Sequence, residues 1–173
     1  MFGLTKEILN QMPTLEVVLV HGLNSDGANM PSKNYESDFY AWANEQASLL
    51  RSGNLAQADI ENIAEEIESM GRSEKRELVS RLTILILHLL KWQFQPVKRG
   101  SSWETSIKVQ RIQIVSHIED NPSLKTKIEE CILTAYRVAI LEAVDETGLQ
   151  KTIFPAFCPY SFEQIMSNDF WPD

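Results

Sequence analysis

Residues 82–90 read Leu82-Thr83-Ile84-Leu85-Ile86-Leu87-His88-Leu89-Leu90, and they decide the fold. The segment around them opens at Ser73 as an N-cap, with Arg76 and Glu77 in its first turn. It closes at Gln95, because Pro96 removes a backbone donor and stops a helix. The spacing predicts a helix over 73–95. Its centre, Ile84 to Leu90, is apolar nearly all round, and a helix apolar on every side has to be buried. The run falls far short of the roughly 18–20 apolar residues that a membrane span needs.

Outward from this core helix, almost everything from Tyr35 onward has helical period. A first helix is expected over Ser37 to Arg51, capped by Ser37 or Asp38 and stopped by Gly53. Phe39, Trp42, Gln46 and Leu49 form its stripe. A second is expected over Ala56 to Met70, stopped at Gly71, with Ile60, Ile63, Ile67 and Met70 on one face and Glu61, Glu65 and Glu68 on another. A fourth spans Ser102 to Glu119. A fifth spans Ser123 to Glu146, opened by Asn121-Pro122 and stopped by Gly148. The stretch Phe154-Pro155-Ala156-Phe157-Cys158-Pro159-Tyr160, a short helix over Ser161 to Met166 and Phe170-Trp171-Pro172 read as an aromatic, proline-rich strap packed on the bundle. The fold class expected is all-α: an antiparallel bundle of about five main helices with this strap.

The chain has 173 residues and a formal net charge of −8, which argues against general nucleic-acid coating. Charge comes in blocks. Residues 35–71 hold one basic and eight acidic side chains; residues 72–117 hold nine basic and three acidic. Arg72, Arg76, Lys98, Arg99, Lys108 and Arg111 could form a basic face on the third and fourth helices, open to nucleic acid or an acidic partner. The simpler reading sets the acidic second helix against the basic start of the third. Two cysteines, Cys131 and Cys158, are too few for a disulfide framework and point to a reducing compartment.

Residues 1–34 differ from the rest. Val17 to Gly27 resembles the early strand and His-Gly oxyanion loop of α/β-hydrolases, but no Gly-x-Ser-x-Gly elbow follows. The segment is expected to be a poorly packed extension, with one helical domain over 35–173. The three histidines, His21, His88 and His117, lie in no Glu-x-x-His or His-x-x-x-His pair, so neither a di-iron centre nor a zinc site is expected.

A polar line runs through the buried helix. Arg81, His88 and Gln95 recur every seven residues and drift only about 20° per step. Lys91 lies one turn from His88 and Gln95. Buried, these groups need acceptors; Glu65, Glu68 and Gln110 could supply them. The bland reading is a satisfied core network that fixes register. The alternative is a pocket for an anionic ligand, with His88 as acid/base and Arg81 or Arg111 as clamp.

In order, the chain carries Tyr35-x-x-Asp38-Phe39-Tyr40-x-Trp42, Glu65-Glu66-Ile67-Glu68-x-Met70-Gly71-Arg72-Ser73, Ser80-Arg81-Leu82, His88-Leu89-Leu90-Lys91-Trp92-Gln93-Phe94-Gln95-Pro96, Ser102-Trp103, Gln110-Arg111, Cys158-Pro159-Tyr160 and Phe170-Trp171-Pro172. With these motifs residues 35–173 resemble a bacterial, largely cyanobacterial family, domain of unknown function family twenty-nine. The resemblance implies an all-α cytoplasmic protein and no particular activity. It singles out Glu65, Glu68, Arg72, Ser73, Arg76, Arg81, His88, Lys91, Gln95, Trp103, Gln110 and Arg111. The function expected is a non-enzymatic interaction or regulatory module whose partner is another protein, with no cofactor and no membrane.

Overall fold

A computed structural model describes residues 33–173. The expectations placed on the first 32 residues, among them the strand-like Val17–Gly27 and His21, lie outside the described residues. The rest is all-α, with no strand among the described residues. The helices are α1 (Lys33–Ser37), α2 (Phe39–Arg51), α3 (Ile60–Phe94), α4 (Ser101–Asp120), α5 (Ile128–Thr147) and α6 (Phe162–Met166). The chain divides into two compact units, the first ending at Asn62 and the second beginning at Ile63.

In the first unit, Asp38 caps α2 by accepting from the Ala41 amide at 3.0 Å. Tyr35 and Phe39 pack on Trp42, with ring centroids 4.8 and 5.4 Å away. The Trp42 indole donates to Asp59 at 3.3 Å, and the Asp59 amide donates to the Gln46 side chain at 2.9 Å. Asp59 also accepts from the side chain of Asn62 at 2.7 Å. Gly53 has φ 72°, the left-handed stop expected of it.

The second unit is built on α3. Leu78, Leu82, Leu85, Ile86, Leu89 and Leu90 are all fully buried. α4 runs antiparallel to α3: Gln113 accepts from Arg81, while His117 reaches the Glu74 carbonyl at 2.9 Å. α5 turns back again and runs parallel to α3, pairing Glu130 with Lys75 and Glu146 with Lys91. Ile107, Ile114, Cys131, Ala135, Ala139 and Ala143 complete the core. Small residues on α5 let it lie close to its neighbours. A six-residue 3-10 turn over Pro122–Lys127 replaces the first turn expected of α5.

One expectation is corrected. The helices placed on either side of Gly71 are a single helix of 35 residues. A glycine ends a helix when it adopts φ above zero; inside one it costs only about 1 kcal/mol relative to alanine. Gly71 is not among the glycines with positive φ, and Arg72 pairs back to Glu68 across it at 3.3 Å.

Gly71→Ala is therefore expected to stabilise the protein by about 0.5–1 kcal/mol, since a methyl there meets nothing within 4 Å. Gly148→Ala is expected to destabilise it by about 1–2 kcal/mol, because its φ is 71°. Urea unfolding of the two variants checks the opposite signs.

Candidate functional site

Seven residues of α-helix advance about 10 Å along the axis. Arg81 and His88 are thus held about 10 Å apart on α3, with Gln95 just past its last residue, and the three do not converge on one partner. Arg81 pairs with Glu77 one turn back and donates to Gln113 of α4. His88 is half-buried, and its Nδ1 donates to the Ile84 carbonyl of its own helix at 2.7 Å. Gln95 donates to the Thr147 carbonyl at the end of α5 at 3.1 Å. Lys91, only 8% exposed, joins all three long helices of this unit: it pairs with Glu146 of α5 and lies 4.7 Å from the Trp103 ring of α4. Such a cation over an indole gains about 1–2 kcal/mol when desolvated.

The acceptors expected for this line are different ones. Glu65 and Glu68 share a helix with Arg81 and stand about 24 and 20 Å from it along the axis. Both are exposed, as are Arg72 and Arg76. Gln110 turns inward, but its Oε1 is buried without a partner; Gln113, one turn on, receives Arg81 instead. Glu77, Gln113 and Glu146 were missed as site residues. Only Glu77 had a local signal, its four-residue spacing from Arg81.

Arg111 is the most consequential of the candidates. It is 2% exposed and has no carboxylate partner among the described residues. Its Nε donates to the Ile165 carbonyl at 2.9 Å and one terminal nitrogen to the Phe170 carbonyl at 2.8 Å. Its guanidinium lies 5.5 Å from the Trp171 ring. Burial alone pushes its pKa down. Arg99 repeats the device, donating to the Trp92 carbonyl at 2.8 Å and the Pro172 carbonyl at 3.2 Å. Around these two cations the strap is pinned by rings and hydroxyls. Trp171 packs on Trp92 and Phe154 on Phe94, at 4.6 and 5.1 Å. The Tyr136 hydroxyl donates to the Pro155 carbonyl, and that of Tyr160 to Gln93.

This geometry scatters the basic face read from sequence. Arg111 is buried, Arg99 holds the strap, Lys108 pairs with Glu104, and Arg72 with Glu68. Burial raises the pKa of both thiols, Cys131 and Cys158, which keeps them protonated. No grouping of three or more metal-ligating side chains occurs among the described residues.

A family model described as "domain of unknown function DUF29" matches residues 34–171. No curated protein and no solved structure matches the chain.

Arg111→Met is expected to cost about 3 kcal/mol, because two carbonyls lose their donor inside the protein. Unfolding in urea, with proteolysis of residues 154–173 as a second readout, checks this. A strap that stays protected in a fully stable variant contradicts the assignment. Burial is the main reason the pKa of His88 is lowered from 6.5; the Ile84 bond raises it, Lys91 lowers it and Glu146 raises it. The folded protein therefore favours the neutral ring, and its stability falls as the pH drops from about 6.5 towards the lower folded value. His88→Gln should flatten that part of the stability–pH curve, measured by urea unfolding across the range.

Proposed function

The chain belongs to the domain of unknown function family DUF29, and from that premise we propose that it is a helical protein-interaction module of the bacterial cytoplasm. The observation that carries this reading is the outer surface of α4, α5 and the strap. Ile112 is 70% exposed, Leu141 60%, Leu133 55% and Phe157 76%. Leu133 and Phe157 line one groove between α5 and the strap, and exposed apolar side chains that share a groove are the ordinary mark of a surface that another protein covers. Beside Leu141 lies a groove of ≈ 380 Å³, lined also by Val138, Arg137, Lys151 and Ala156. Its floor is apolar and its two cations have no ion-pair partner among the described residues, which suits a mixed apolar and acidic segment of a partner.

The polar residues that suggest chemistry support the same reading from the other side. Arg81, Lys91, Gln95 and Arg111 are each engaged with a neighbouring helix or the strap. They act as tethers that give the apolar surface a fixed shape. A pocket reading of Arg81, His88 and Gln95 requires one ligand to reach groups held about 10 Å apart.

The full chain, tagged and purified from its source cells, should bring a protein partner in fixed ratio. Ile112→Glu and Leu141→Glu should weaken that complex at least about tenfold, equivalent to about 1.4 kcal/mol, with helicity unchanged by circular dichroism. Full retention of the partner by both variants contradicts the surface. A small molecule that co-purifies and is lost in His88→Ala moves the function to the pocket.

A further inference from the structure

Charge is segregated along one face of α3. Between Ile63 and Gly71 the helix carries Glu65, Glu66 and Glu68 and no basic residue; the next five positions bring Arg72, Lys75 and Arg76 and one acid, Glu74, which lies off this face against Asn121. At about 100° per residue, Glu65, Glu68, Arg72, Lys75, Arg76 and Val79 share an arc roughly 100° wide. The acidic half of this face stands clear of the neighbouring helices of its unit. α4 ends at Asp120, beside Glu74, and α5 begins at Ile128, beside Lys75. The basic half instead borders a groove of ≈ 320 Å³, lined by Arg72, Lys75, Arg76, Val79 and Thr134 of α5. No carboxylate is among these lining residues; Glu130 of α5 pairs with Lys75 at its edge. Arg76 and Glu65 have no hydrogen-bond or ion-pair partner among the described residues.

We propose that this groove receives the acidic stretch of α3 from a second copy of the chain, in an antiparallel two-fold pairing. A two-fold axis beside Met70 and Gly71 sets Glu65 opposite Arg76 of the second copy. It sets Glu68 between that copy's Arg72 and Lys75, which it would share with their partners within each chain, Glu68 and Glu130. Symmetry repeats every contact, so the face is self-complementary and the assembly closes at two. The lengths agree. Residues 63–71 span about 12 Å, and the groove from Arg72 to Val79 about 10 Å. The same order of charges opposes a parallel pairing, which would set acid against acid and base against base. An interface of ion pairs with little apolar cover is weak and sensitive to salt. This self-association is independent of the partner surface on α4 and α5.

The test is sedimentation equilibrium of the full chain over a range of concentrations, at low and raised ionic strength. The wild type should dimerise at low ionic strength and dissociate as salt rises. Arg76→Glu and Glu65→Arg should each weaken the dimer at least about tenfold. Their combination restores the pairing with its signs exchanged, and should recover most of that loss, as coupled neighbours do in a double-mutant cycle. Circular dichroism controls for folding. A chain that is monomeric at every concentration overturns the proposal. So does a dimer that tolerates both single reversals, which would place the contact on the exposed Ile67 and Met70 instead. A double variant as weak as the singles also overturns it. None of these outcomes touches the α4–α5 partner surface, which Ile112→Glu and Leu141→Glu report separately.

Discussion

A helix that is apolar on every side must be covered on every side, and the middle of α3 sets that demand on the rest of its unit. α4 and α5 cover two flanks; residues 154–172 close what they leave. Each fully buried Leu or Ile contributes about 1.5–3 kcal/mol relative to exposure, and α3 supplies six such residues between Leu78 and Leu90. The third covering is irregular chain, so its backbone carbonyls need donors inside the protein. Arg111 and Arg99 supply them. The strap can lie on the core because two guanidinium groups take the place of a neighbouring strand or helix.

The buried cations of this protein are thus used for geometry. Among the described residues Arg111 meets carbonyls and an indole face and no carboxylate. A guanidinium suits that role, since its planar fork of donors stays charged when partly desolvated. Lys91 meets one carboxylate and one indole, and its point charge sits where three helices converge. Both residues stand in positions that a purely apolar core would fill more cheaply. What they add is register: an apolar contact slides along a helix, whereas a directed hydrogen bond fixes which turn faces which.

Much of this was legible in the residues. Asp38 and Gly53 bound α2, Gly148 ends α5, Pro96 ends α3 and a short helix follows Ser161. Each is a local signal whose cause is local, either a side-chain oxygen near free amides or a φ that only glycine adopts freely. The aromatic strap was legible because so many rings have no reason to sit in water. Gly71 misled, since glycine permits a helix to end without requiring it, and the residues on both sides of it are strong helix formers. Merging two helices into one moved Glu65 and Glu68 away from Arg81. The partners of Arg111 were illegible for a different reason. They are backbone carbonyls more than fifty positions away, and every residue has one.

The strap has a consequence for the order in which the molecule is made. Synthesis runs from the amino end, so α3, α4 and α5 exist before residues 154–172 emerge from the ribosome. Until then Trp92 and Phe94 lack their covering rings, and Arg111 lacks the oxygens that its position calls for. The nascent chain therefore reaches its final arrangement only when its late segment docks. A translation product that stops short of it displays bare aromatic surface beside an unmatched charge, a combination that quality-control proteases can tell from the finished protein.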